Sequence, residues 1–118
     1  MSKGDVQRLP EYLHHILEAI ERIHHYTEDM SEVAFLNDSK TQDAVIRNFE
    51  IIGEASRNIE RYHPAFANEH AYLPLGFAYE MRNALAHGYF KVDLEVVWKT
   101  IHLSLPELHT QIKQLLVQ

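Results

Sequence analysis

The chain contains no cysteine, which removes disulfides, thiolate nucleophiles and cysteine-ligated zinc or iron–sulfur sites together. That absence fits a reducing cytoplasm, which is the expected location. Glycine and proline are scarce, four of each in 118 residues, and most fall where helices would begin or end. There is no low-complexity stretch, no repeat at a solenoid period and no linker rich in Pro, Gly or Ser. No apolar run approaches the ~20 residues needed to span a bilayer. The opening stretch MSKGDVQRLPEYLHH lacks the apolar core of a signal peptide, so no membrane partner is expected. No segment alternates with period two, and no strands are predicted. Cations are outnumbered, 11 Lys and Arg against 17 Asp and Glu for a net charge of −6. A globally basic nucleic-acid binder is thereby excluded, and any nucleic-acid role must rest on a local basic site.

What is present describes one compact domain covering residues 1–118. Hydrophobic residues make up 46% and charged residues 24%, ordinary for a globular protein and too apolar for disorder. A chain of this size buries roughly 65% of its unfolded surface, enough for a core without metal or disulfide help. Leu9, Leu13, Ile16, Leu17, Ile20 and Ile23 recur at three- and four-residue steps, predicting a helix over residues 10 to about 26, with Pro10 in its first turn. A helical turn or two follows at 31–36, and Asn37, Asp38 and Ser39 read as a turn and cap. A second long helix is predicted over about 40–61, striped by Val45, Ile46, Phe49, Ile52, Ala55, Ser56 and Ile59. Gly53 interrupts it at a cost of about 1 kcal/mol against alanine, which close approach of a neighbouring helix would explain.

Residues 62–73 read as a loop, opened by His63-Pro64 and closed by Leu73-Pro74. A third helix is predicted over about 75–87, ended by Gly88, and a fourth begins after Asp93. Pro106 lies inside the stripe of the fourth and should kink it near His102. The expected fold is an all-α, up-and-down bundle of four to five helices.

Chemistry concentrates in Met81-Arg82-Asn83-Ala84-Leu85-Ala86-His87-Gly88-Tyr89. Asn83 and His87 are four apart and share a helix face, whereas Arg82 and His87 differ by about 140° in direction. They converge on one ligand if the helix ends at Gly88, or if a second copy of the helix supplies the other half of the pair. His87 at a helix C-terminus faces the negative end of the macrodipole, which favours its protonated form. A histidine that exchanges a proton and an arginine that clamps a phosphate suit attack by a ribose 2′-hydroxyl on the adjacent phosphodiester. That chemistry needs no metal or other cofactor. By spacing alone, a solvated helix end with a capping histidine explains the same residues.

Arg82-Asn83-Ala84-Leu85-Ala86-His87-Gly88-Tyr89 resembles the Arg-x4-His-x-Tyr motif of HepT-like proteins in the HEPN superfamily. Ile51-Ile52-Gly53-Glu54-Ala55 resembles the Gly-Glu-Ala stretch of their second long helix. Residues 92–98 resemble the opening of their last helix, and Leu105-Pro106-Glu107-Leu108 resembles its proline turn. The resemblance implies a dimeric, HEPN-like helical bundle acting as a metal-independent ribonuclease toxin of a type VII toxin–antitoxin pair, with tRNA or mRNA as substrate. It places the catalytic arginine and histidine on Arg82 and His87, and the polar residue after the arginine on Asn83. It places a tyrosine that a neighbouring minimal nucleotidyltransferase adenylylates on Tyr89. Relatives that only bind a nucleotidyltransferase imply the alternative of a non-catalytic partner module. Glu54, beside Gly53, is a candidate to orient Arg82 or His87, with a structural salt bridge as the competing role.

The other histidines are poor ligand candidates. His14-His15 and His24-His25 are adjacent pairs whose rings diverge on a helix, no His-x3-His pair exists, and His102 and His109 lie two turns apart. No metal site is expected. Arg47, Arg57, Arg82, Lys91 and Lys99 are the cations available for a local positive cleft, and Trp98 reads as a core or dimer-contact aromatic.

Overall fold

The computed structural model describes residues 8–73 and 94–117. Among the described residues every regular element is helical: α1 (Leu9–Thr27), α2 (Glu32–Leu36), α3 (Ser39–Tyr62), α4 (Pro64–Glu69), α5 (Leu94–Leu103) and α6 (Leu105–Leu116). The all-α expectation therefore holds. The helix expected at 75–87 lies outside the described residues.

Helix α1 buries Tyr12, Leu13, Ile16, Ala19, Ile20 and Ile23, the stripe that its sequence period dictates. Helix α3 buries Val45, Phe49, Ile52, Ala55 and Ile59, with Gly53 on the same buried face. The two pack against each other along their length. Tyr12, near the start of α1, meets His63, at the end of α3, edge to face at 6.0 Å, so the pair is antiparallel. Helix α2 delivers the fully buried Phe35 to the core, and the ring of Trp98 on α5 lies 5.3 Å from it. Helix α6 closes the core through Leu105, Leu108 and Ile112 and packs on α1.

Hydroxyls buried by this packing are satisfied inside their own helices. Thr27, Ser56 and Thr100 each donate to the carbonyl four residues back, at 2.8, 2.7 and 2.8 Å. These bonds remove the cost of placing polar groups in an apolar core.

Helix starts follow the cap residues. Ser31 Oγ accepts from the Ala34 N–H at 3.1 Å to open α2. Asp38 opens α3 by accepting from the Thr41 N–H at 3.1 Å and from the Thr41 hydroxyl at 2.9 Å. The Thr41 backbone bond, then its hydroxyl, hold the Asp38 carboxyl below its ordinary value. A depressed folded pKa stabilises the fold above the unfolded value of 3.8, and that contribution is lost as pH falls through the folded value. Asp38→Ala is therefore expected to lower Tm at neutral pH, with the deficit shrinking as thermal melts are run further below pH 3.8.

Two expectations are corrected. Residues 62–73, read as a loop, contain α4, which starts on Pro64 and ends at Glu69. None of its residues is fully buried, so it carries no apolar period for the sequence to display. The fourth predicted helix, read as kinked, is two helices divided at Ser104. Pro106 has no N–H to give the His102 carbonyl, and its ring crowds that turn, so the break falls where the bond is missing.

Candidate functional site

Arg82, Asn83, His87 and Tyr89 lie outside the described residues, as does Lys91. Described residues contact the core on both sides of their segment, 74–93. Leu73 is buried immediately before it, its N–H bonded to the His70 carbonyl at 2.9 Å. Leu94 is half-buried against the core immediately after it. Glu54 lies at the middle of α3, directly after the buried Gly53, with its side chain exposed.

Among the described candidate cations, Arg47 and Arg57 stand apart on α3. Arg47 is exposed and paired with Glu50 at 3.4 Å, while Arg57 and Arg61 occupy the last turns of α3. Ten residues of helix separate Arg47 from Arg57, about 15 Å. Lys99 lies on α5, exposed. Of the five cations expected to form a local positive cleft, Arg47, Arg57 and Lys99 are carried on two helices, and Arg82 and Lys91 lie outside the described residues.

The histidines adopt partners that sequence spacing did not reveal. His109 on α6 lies 3.0 Å from the Glu21 carboxylate on α1, a link between residues 88 apart in sequence. It borders a cavity of about 460 Å³ walled by Ile20, Ile23, Ile101 and Leu105. His24 and His25, expected to diverge, both reach Glu28, at 3.8 and 3.5 Å. Among the described residues no three His, Asp or Glu side chains gather as a metal site would require.

Two histidines share one arrangement. His70 stacks on Phe66 with ring centres 4.1 Å apart, and His102 packs on Trp98 at 4.2 Å. In each, the histidine Nδ1 lies 3.0 or 2.9 Å from the carbonyl of the aromatic residue four positions back. A carbonyl only accepts, so Nδ1 carries the hydrogen and Nε2 is left facing away as an acceptor in the neutral ring. The aromatic-x3-His spacing signals both pairs, because residues four apart on a helix are neighbours.

The model of the family described as Ribonuclease HepT-like matches residues 16–115. The chain belongs to the HepT-like family. Over 105 residues it is 44% identical to a protein named "Probable ribonuclease HepT" from Thermococcus cleftensis, covering 89% of this chain and 93% of that one. A protein of Caldanaerobacter subterraneus subsp. tengcongensis, provisionally named an RNase, is 35% identical over 105 residues, covering 89% of this chain and 91% of its own. A provisionally named RNase of Methanocaldococcus jannaschii is 34% identical over 116 residues, 98% of this chain and 91% of its own. No solved structure matches the chain. Among the described residues no helix of this HepT-like chain is long and apolar enough to cross a membrane.

Proposed function

We propose that this HepT-like chain is a metal-independent RNA endonuclease and the toxin of a toxin–antitoxin pair. The carrying observation is that the span matched by the family, 16–115, includes the uninterrupted run from Arg82 to Tyr89. His87 takes the proton of a ribose 2′-hydroxyl, or returns one to the departing 5′-oxygen. Arg82 clamps the phosphate and the charge that grows on it, with Asn83 positioning the same group. The 2′-oxygen forms a bond to phosphorus as the bond to the 5′-oxygen breaks. The products are a 2′,3′-cyclic phosphate and a 5′-hydroxyl, and the proton removed from one oxygen balances the proton delivered to the other. Glu54 orients Arg82 or His87 from α3.

The working unit is a homodimer in which two copies of the motif segment complete one another's site. Its antitoxin is a minimal nucleotidyltransferase that silences it by adenylylating Tyr89; both reside in the cytoplasm, where the toxin acts on tRNA or mRNA. The acidic balance of the chain, −6 overall, favours recognition of exposed single strands over a broad electrostatic grip.

Incubation of unmodified protein, verified by intact mass, with total tRNA in excess EDTA tests this reading. Fragments ending in cyclic phosphate are expected, at a rate that chelator leaves unchanged. RNA left intact would instead assign the chain to the non-catalytic role, a helical module that presents Tyr89 or a substrate to a nucleotidyltransferase.

A further inference from the structure

Helix α4 buries none of its residues, yet a run of seven residues from Phe66 to Tyr72 holds three aromatic rings. Phe66 is the anchor, partly buried against the core. His70 is stacked on it nearly parallel, at 23°, and pinned by its Nδ1 hydrogen bond to the Phe66 carbonyl. Tyr72 follows, its ring centre 5.7 Å from that of His70 and its plane tilted by 57°, so that at 58% exposure it presents a second open aromatic face beside the stacked pair. Core packing explains Phe66, and closing a short helix explains His70. Neither explains an exposed Tyr72 beside them.

We propose that Phe66, His70 and Tyr72 form a stacking platform for one unpaired nucleobase of single-stranded RNA. The inference rests on RNA being the substrate, as proposed above, and adds where a base is held. Phe66 and His70, held against each other, lose little freedom when a base joins them, and each base–aromatic stack strengthens binding. The His70 Nε2 lone pair at the platform accepts from a base N–H. Arg57 and Arg61 stand on the last turns of α3, against which α4 packs, and the Arg61 guanidinium lies over the Tyr62 ring at 5.3 Å. The exposed carboxylates of Glu60 and Glu69 offset them in charge. Stacking rather than phosphate attraction therefore dominates at this place, and binding there should fall only shallowly with salt.

The test uses the full chain and a labelled 2′-O-methyl single strand, which cannot undergo attack by its own 2′-oxygen, read by fluorescence anisotropy. A strand of equal length and charge with abasic sugars serves as comparison. Tyr72→Ala should weaken binding of the base-bearing strand about tenfold, and Tyr72→Phe should bind as wild type does. All three proteins should bind the abasic strand alike, with thermal melts confirming equal folding. Loss of equal size on both strands, no loss on either, or a wild type that binds no strand would overturn the platform. Base-dependent loss in a chain that cuts no RNA would leave the platform standing and overturn the nuclease reading. Cleavage with base-independent binding would do the reverse.

Discussion

His87→Ala is expected to slow RNA cleavage by about 10²- to 10⁴-fold, the range over which a positioned general acid or base contributes. The readout is the appearance of cyclic-phosphate ends on tRNA in EDTA, wild type and variant side by side. Arg82→Lys should also lose most activity, because an ammonium keeps the charge but not the planar, two-pronged grip on a phosphate. Circular dichroism and melting temperature accompany each variant, so that a fall in rate is not mistaken for a fall in folded protein. Equal rates for wild type and His87→Ala would end the assignment of catalysis to the motif. The expectation is sharp because the proposed mechanism assigns the proton transfer to His87, and alanine offers no group that exchanges protons near neutral pH.

Phe49→Ala is expected to be the most damaging change in the scaffold. Phe49 is 2% exposed at the middle of α3, between Val45 and Ile52 on the stripe that faces the core. Removing its ring loses the transfer free energy of a large apolar group and leaves a void that neighbouring helices fill only in part. The cost is about 3–5 kcal/mol. At roughly 4–8 °C of Tm per kcal/mol for a domain near this size, the variant should melt on the order of 15 °C lower or worse. Leu103→Ala supplies the contrast, since Leu103 is 73% exposed beside the helix break and should shift stability by no more than about 0.5 kcal/mol. Urea titration of both variants measures the difference. Similar midpoints would mean that α3 does not bury the face assigned to it.

Much of the scaffold was legible because its signals are local. The stripe of α1 is written at three- and four-residue steps, and the caps at Ser31 and Asp38 lie where a hydroxyl or carboxylate precedes an apolar period. The missing N–H of Pro106 located the interruption between α5 and α6 to within two residues of Ser104. Helix α4 escaped because it is only six residues long and buries no side chain completely. The candidate site is read from the contiguous run from Arg82 to Tyr89 and from three further stretches that resemble the HepT-like family, all inside the span its model matches.

Local order in the chain therefore determined the all-helical class, the starts of α1, α2 and α3 and the chain's family, and it supplied the residues proposed to carry the chemistry. Each depends on neighbours within about one or two helical turns, or on an unbroken motif. Tertiary structure alone decided which distant groups meet. Nothing in the neighbourhood of His109 names Glu21, 88 residues away, as its partner. Nor does α3 by itself name α1 as the antiparallel helix that covers Gly53's face, or Phe35 as the ring that backs Trp98. Those pairings arise when the apolar stripes are buried together, because hydrophobic burial is non-directional and only close packing selects among the ways of satisfying it.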